Sequence, residues 1–402
     1  MTNPAPPALD LERLRAETPG CESVTHLNNA GSALPPAVVT QAQVDHLRLE
    51  ESIGGYEAHA LAQDRIDAVY GSVAALTDCR QDQVALLESA TAAWGRGFAA
   101  IHNTRPLGAG DRVLASSSEY ASNVLPILQL ARSRGATVEF IPDGNDGCTD
   151  VAAFASMLGP DVAVVAVNHC PSQNGLVNDV AAIGAALRAC GSDAWYLVDA
   201  CQSVGQLPVS ASVIGADFLS ATGRKFLRGP RGTGFLVASD RAITELEPFP
   251  LDLHSAEWQA DGFEVASGAT RFESWEKSYA ALLGLGAAVD YALDCGINAL
   301  ATRIQQLAGY ARSSLAGVPW ITVRDRGAYP SGIVTITHSA IAAPELAARI
   351  KSAGVNVSLS TPDYSRIDFD GHGVEGLVRI SPHAYNTHDE IDTLVTIIAA
   401  LT

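Results

Sequence analysis

Lysine is scarce in this chain. Of the 26 basic residues among 402, only Lys225, Lys277 and Lys351 are lysines, so a reaction that needs an amine nucleophile has three candidates. Positive charge in general is outweighed: 26 Lys plus Arg stand against 44 Asp plus Glu, a net −18. Such a balance excludes a nucleic-acid partner, whose phosphates are bound by releasing counterions onto basic patches. Cysteine pairing is missing as well. The seven cysteines (21, 79, 148, 170, 190, 201 and 295) are odd in number and contain no C-x-x-C spacing. That fits neither a disulfide framework nor a zinc site and leaves most of them as small buried hydrophobes. Ten dispersed histidines without an H-E-x-x-H spacing give metal chemistry no foothold. The longest uncharged apolar run, Tyr279 to Val289, falls short of the about 20 residues a bilayer span requires, so no membrane partner is expected. Met1 to Thr18 is Pro-rich and then acidic and amphipathic, without a basic stretch leading into an apolar one, and the expected address is cytoplasmic.

What is present is apolar. Hydrophobic residues make up 47% of the chain and charged ones 17%, enough for a large core, and the length suits two domains sharing an interface. Short apolar runs alternate with helical patterns from about residue 84 to 240. Val84 to Glu88, Arg112 to Ser116, Thr137 to Ile141, Val162 to Val167 and Trp195 to Asp199 read as buried strands. Amphipathic helices fill the gaps, for instance over Ser122 to Arg134 and Asp179 to Cys190. That spacing suits βαβ units, hence an α/β fold with a mostly parallel sheet and helices on both faces. Asp217 to Ala221 and Gly234 to Ala238 continue it, the latter in hairpin relation to its neighbours. Beyond about residue 280 an Ala/Leu-rich helical region runs from Ser278 to Ala316. Strands at Ile333 to Thr337 and Gly376 to Ile380 and helices over Ala343 to Ala353 and Asp389 to Leu401 then read as a smaller α+β unit. The expected division is an N-terminal arm over 1–25, with Pro4, Pro6 and Pro7 in a mobile tail, a large domain over 26–280 and a small C-terminal domain over 281–402.

In open α/β sheets, ligands bind outside the carboxyl ends of the strands. Asp199 ends one strand and is followed by Cys201, Gln202 and Ser203, while Thr222, Gly223, Arg224 and Lys225 follow another. Glu88 leads into Ser89, Ala90 and Thr91, where Ser89 or Thr91 caps a helix and offers bare N–H groups to an anion. An anion site, a carboxylate and a lysine on one edge of a sheet meet the demands of pyridoxal phosphate: a Schiff-base amine, a partner for the pyridine nitrogen and a phosphate cradle. Lys277, entering a helix, reads as solvated, and Lys351 as a cation at a helix end. His169 and Trp94 read as structural. A dinucleotide site fails on context, because Gly108-Ala-Gly110 precedes a strand and Gly284-Leu-Gly286 lies inside a helical pattern.

Two runs, Val198-Asp-Ala-Cys-Gln-Ser203 and Ser220-Ala-Thr-Gly-Arg-Lys-Phe-Leu-Arg-Gly-Pro-Arg-Gly-Thr-Gly234, resemble the class V aminotransferase and cysteine-desulfurase group of fold-type I pyridoxal-phosphate enzymes. So do His26-Leu-Asn-Asn-Ala30, Glu119-Tyr-Ala-Ser-Asn123, Arg271-Phe-Glu273 and Val378-Arg-Ile-Ser-Pro-His-Ala-Tyr-Asn-Thr387, in the group's order along nearly the whole chain. The resemblance implies the fold-type I transferase fold and pyridoxal 5′-phosphate as cofactor. Lys225 is then the Schiff-base lysine and the proton shuttle at Cα, and Asp199 the partner of the ring nitrogen. Gln202 is implied near the ring hydroxyl, Tyr120 as the stacking aromatic, and Ala90, Thr91, Thr222 and Arg224 at the phosphate. Ser172 stands where many relatives carry Asn near the ring hydroxyl. Arg379 is implied as the bidentate partner of the carboxylate of a small amino-acid substrate, with Asn29 assisting. The group also implies a homodimer with sites at the subunit boundary, where Arg271 to Glu276 and Gly54 to Tyr56 belong to the neighbour's pocket.

Desulfurases of this group carry a nucleophilic cysteine on a loop of the second domain. The corresponding stretch, Gly354-Val-Asn-Val-Ser-Leu-Ser-Thr-Pro-Asp-Tyr-Ser-Arg366, has none. Gly223-Arg-Lys225, Gly54-Gly-Tyr56, Arg271-Phe-Glu-Ser-Trp-Glu276 and Gly354-Val-Asn-Val-Ser358 resemble a subgroup of actinobacterial C–S lyases. That subgroup includes the ergothioneine-pathway hercynylcysteine sulfoxide lyase; enzymes that trim cysteine S-conjugates in lincosamide antibiotic biosynthesis are similar. The resemblance implies a lyase of sulfur or secondary metabolism, performing β-elimination on a cysteine S-conjugate (thioether or sulfoxide), with Tyr364 or Arg366 contacting the leaving group. Decarboxylation-coupled oxidative deamination, transamination, epimerisation and cysteine desulfuration share the site and stay open. A silent binding protein that kept the fold is the reading from another class.

Overall fold

The computed structural model describes residues 9–402, and the tail holding Pro4, Pro6 and Pro7 lies outside them. Seven strands make the main sheet, in the spatial order Val84–Leu87, Gly234–Ala238, Phe218–Thr222, Trp195–Asp199, Val162–Asn168, Arg112–Ser116 and Thr137–Ile141. The five from Phe218–Thr222 to Thr137–Ile141 pair in parallel. Gly234–Ala238 runs antiparallel to both of its neighbours, the hairpin relation read from the sequence. Six strands therefore bring their carboxyl ends to one edge, and Gly234, the first residue of the reversed strand, arrives at that same edge.

The strands are apolar on both faces because two cores flank them. Successive side chains point to opposite sides. Val113, Ala115, Val164, Ala166 and Leu197 meet Trp94, Phe98 and Ile101 of the helix Ala90–Thr104. Leu114, Val165, Val167, Tyr196 and Val198 meet a second core that includes Ile183 and Leu187 of the helix Val180–Cys190, with Val69 and Leu285. Trp94 is packing, as expected, with its ring stacked on Phe98 at 5.1 Å.

A second, antiparallel sheet has the order Ile321–Val323, Val334–His338, Leu377–Ile380 and Ser358–Ser360, with its own core around Ile336, Val378, Leu346 and Leu394. The start of the chain lies beside it: Thr25–His26 pairs in parallel with Val355–Asn356 as a separate two-stranded sheet. The Ala/Leu-rich region is two helices, Tyr279–Cys295 and Ile297–Ala316, bent by 82° where Gly296 takes a φ of +82°. Two long helices, Ala37–Ile53 and Gly55–Thr77, pack on the first of them. No single helix among the described residues is long and apolar enough to cross a membrane. The cysteines depart from expectation. All seven are free, but only Cys170 is buried, Cys190 is exposed and the others are partly exposed, because they sit at helix ends and strand exits rather than within the sheet.

Candidate active site

All nine residues expected around the cofactor, from Ala90 to Lys225, line one cavity of about 280 Å³ at the strand-end edge. Ser89 caps the helix Ala90–Thr104, its hydroxyl accepting from the Ala92 N–H at 3.1 Å. The first-turn N–H groups of Ala90 and Thr91 lack intrahelical acceptors and sit at the positive end of the helix dipole. The backbone of Gly234 closes in behind them. A Cβ there would stand 2.5 Å from the Ser89 carbonyl carbon and 2.9 Å from the Ala90 nitrogen, so only glycine fits. Thr222 donates its hydroxyl to the Thr233 carbonyl at 3.0 Å, and the Arg224 guanidinium is held by the Gly31 carbonyl.

Asp199 is 5% exposed. One carboxylate oxygen accepts the Cys201 N–H at 2.8 Å and the other the Asn123 amide at 2.9 Å. Burial pushes its pKa up, while Lys225, the Cys201 N–H and Asn123 pull it back. Gln202 donates to the Ala30 carbonyl at 3.1 Å, and its Oε1 is buried with no partner among the described residues. Ser172 lends its carbonyl to Arg379 Nη1 at 3.3 Å. Arg379 is buried, its pKa pushed down to about 10 by burial and by the neighbouring Arg224, and its Nε has no partner among the described residues. Two crowded cations, an orphaned amide oxygen and bare helix N–H groups form a site for an anionic, hydrogen-bonding ligand. A buried carboxylate and a lysine face each other across it. Pyridoxal phosphate carries the matching groups.

The other lysines are committed elsewhere. Lys277 is not solvated: it lines a separate cavity of about 1000 Å³, paired with the buried Glu273 and 3.2 Å from His254 Nε2. Glu273, which also accepts the Leu86 N–H at 2.6 Å, draws it inward because a buried carboxylate needs a cation. Lys351 is exposed in the last turn of Ala343–Ser352, as expected. Two substrate-side expectations change. Asn29 is consumed by structure, its amide donating to the Ser381 carbonyl at 2.8 Å and its oxygen accepting from the Tyr385 hydroxyl; the neighbouring Asn28 is the residue near Arg379, at 3.5 Å. Arg366 points to solvent, between Asp363 at 3.5 Å and Asp370 at 3.7 Å. Tyr364 does not line the cavity but lies next to it, its ring parallel to that of Tyr120. Sequence reasoning gave Asn123 no role, although its place four residues after Glu119 on a helix start was the available signal.

Residues 25–394 match the model of the aminotransferase class-V family. The chain belongs to that family. Within it, a probable cysteine desulfurase of Methanothermobacter thermautotrophicus is 27% identical over 392 residues, 95% of this chain and 96% of the relative. Among solved structures, an apo cysteine desulfurase from Thermococcus onnurineus superposes with a TM-score of 0.89 at 22% identity, covering 100% of this chain and 99% of that one. The cystine C–S lyase C-DES, solved with its product cysteine persulfide, gives a TM-score of 0.84 at 22% identity over 95% of this chain and 99% of its own. These likenesses establish the fold-type I architecture, in which the family's cofactor is pyridoxal phosphate.

Proposed function

We propose that the chain is a pyridoxal-phosphate lyase that cleaves the C–S bond of a cysteine S-conjugate by β-elimination. The observation that carries this reading is the pairing of Lys225 and Asp199 in one cavity with Arg379 beside it, under a loop that presents Tyr364 where a thiol would serve a desulfurase. Bound there, the cofactor supplies an electron sink for the substrate Cα. Arg379 and Asn28 hold the substrate carboxylate, and the fork of Arg379 fixes its plane. Lys225 Nζ removes the Cα proton, Asp199 holds the proton at the ring nitrogen, and Ala90, Thr91, Thr222 and Arg224 carry the phosphate. Tyr364 gives its hydroxyl proton to the departing sulfur; Arg366, turned outward, does not. Elimination releases the sulfur-bearing half and aminoacrylate, which one water hydrolyses to pyruvate and ammonia. The resemblance to actinobacterial lyases of ergothioneine and lincosamide metabolism supports thioether or sulfoxide conjugates as the substrate class.

Desulfuration of free cysteine is the second reading, favoured by the names of the curated relatives and by Cys201, the thiol that lines the cavity. One assay separates the two. Incubation of the loaded protein with S-alkyl cysteines, their sulfoxides and cysteine yields pyruvate under the first reading and alanine from cysteine under the second. No pyruvate from any conjugate, with cofactor bound, rejects the lyase.

A second copy of the chain is the proposed partner. Tyr56, 81% exposed, and half-exposed Trp275 flank the about 1000 Å³ cavity, an apolar surface of the kind that associates. Light scattering at twice the chain mass supports the dimer.

A further inference from the structure

Glu119 is a buried acid without a task in the chemistry above. It precedes Tyr120, is 2% exposed and makes no ion pair among the described residues. Asn123, one helical turn on, uses its single amide nitrogen to join two carboxyl groups: Nδ2 donates to Glu119 Oε1 at 2.7 Å and to Asp199 Oδ2 at 2.9 Å. Both hydrogens of that amide are thereby spent on one bridge. Glu119 Oε1 also accepts the Tyr120 N–H at 3.3 Å, and Oε2 lies 3.2 Å from Ser116 Oγ.

We propose that Glu119 is a positioning residue, held as a neutral carboxylic acid that acts through Asn123 to keep Asp199 anionic for the cofactor's ring nitrogen. This rests on the reading of the cavity as a pyridoxal-phosphate site. Two buried carboxyls joined by one amide do not both ionise, because neither has water to screen it. The cations decide which keeps the proton. Asp199 faces Lys225 and the Cys201 N–H, whereas Glu119 faces Asp199 and the phenol of Tyr196. Burial and the charge on Asp199 accordingly push Glu119 up to about 8. Ser116 Oγ, which holds the Asn168 N–H at 3.3 Å, donates to Glu119 Oε2 at 3.2 Å, so the acid meets a hydroxyl there and no cation. Above that pH, Glu119 adds a second negative charge beside Asp199 and the field at the ring nitrogen changes.

Infrared spectroscopy of the cofactor-free protein tests the protonation directly. At neutral pH the wild type shows a carboxylic-acid carbonyl band that fades as pH rises through about 8 and is missing from Glu119→Gln. In the loaded protein, the cofactor absorbance of the wild type has an alkaline transition near that pH, and Glu119→Gln, which fixes the neutral state, lacks it. Asn123→Ala breaks the bridge and weakens cofactor binding about tenfold. A wild-type spectrum without a band assignable to residue 119, or an unchanged transition in Glu119→Gln, overturns the proposal. An intact band in a protein that binds no cofactor overturns the pocket reading instead, and with it the purpose assigned to the acid.

Discussion

Tyr364 lies parallel to Tyr120, their ring centroids 6.3 Å apart and their planes 9° from coplanar. Ser365 fastens the loop beside them by donating its hydroxyl to the Glu119 carbonyl at 3.0 Å. The loop that carries a nucleophile in desulfurases is here moored to the residue expected to stack on the cofactor. Tyr364→Ala removes a contact worth about 0.5–1.5 kcal/mol and raises KM by about threefold to tenfold. Tyr364→Phe keeps the ring and loses only the proton donor, so kcat falls most for conjugates with basic leaving groups while KM holds. Steady-state kinetics on a leaving-group series checks both.

Arg379 is buried next to Arg224, and that crowding is relieved by a carboxylate. Arg379→Lys loses the two-pronged geometry and raises KM by about tenfold to a hundredfold, with a smaller effect on kcat. Because burial holds the guanidinium down at about 10, substrate affinity in the wild type declines as pH rises through that value. The pH dependence of kcat/KM reads it.

The Lys277–Glu273 pair is a stability element in a cavity separate from the one that Lys225 lines. Glu273 also accepts from Tyr70 at 3.0 Å and lies 2.7 Å from His254 Nε2. Lys277→Met leaves that carboxylate buried without its cation, at a cost of about 3–5 kcal/mol. Adding Glu273→Gln recovers most of the loss. Thermal melts of both single variants and the double variant close the cycle, and cofactor absorbance stays unchanged in Lys277→Met.

Acid sensitivity follows from two buried histidines. Burial holds His169 down at about 4 and His383 at about 3, from an ordinary 6.5. Between pH 6.5 and those values the unfolded chain binds protons that the native one refuses, so stability falls as pH drops. His383→Gln flattens that limb of a urea-midpoint profile against pH relative to wild type.

Gly234→Ala places a methyl group against the Ser89 to Ala90 turn and costs about 1–3 kcal/mol in overpacking. Cofactor affinity, measured by absorbance titration, falls with it, whereas Gly191→Ala, with open space around its Cβ and outside the cavity, retains the affinity and loses only stability to its positive φ.

The main sheet was legible because each strand is an apolar run closed by polar residues, and the polar residues that close it are the site. Asp199 and Lys225 could be placed from their strands alone. What was hidden depended on which neighbour a side chain finds. Asn29 and Asn28 are adjacent in sequence, and only the Ser381 and Tyr385 contacts decide that the first is structural and the second faces Arg379. Lys277 read as solvated because its partner Glu273 is held in the interior by the Leu86 N–H and by Tyr70, far along the chain. The helices Ala37–Ile53 and Gly55–Thr77 carried weak patterns, since much of each is polar surface.

The segment from Thr25 to Ala33 is sewn to both sheets. Thr25 and His26 pair with Val355 and Asn356, and Leu27 and Asn29 exchange backbone bonds with Ser381. The Ala30 carbonyl holds Gln202, and the Ala33 N–H binds the Arg224 carbonyl at 2.9 Å. Removing residues 25–33 would unpick the rim of the cavity from both sides at once, since the two sheets share this one strap along that edge.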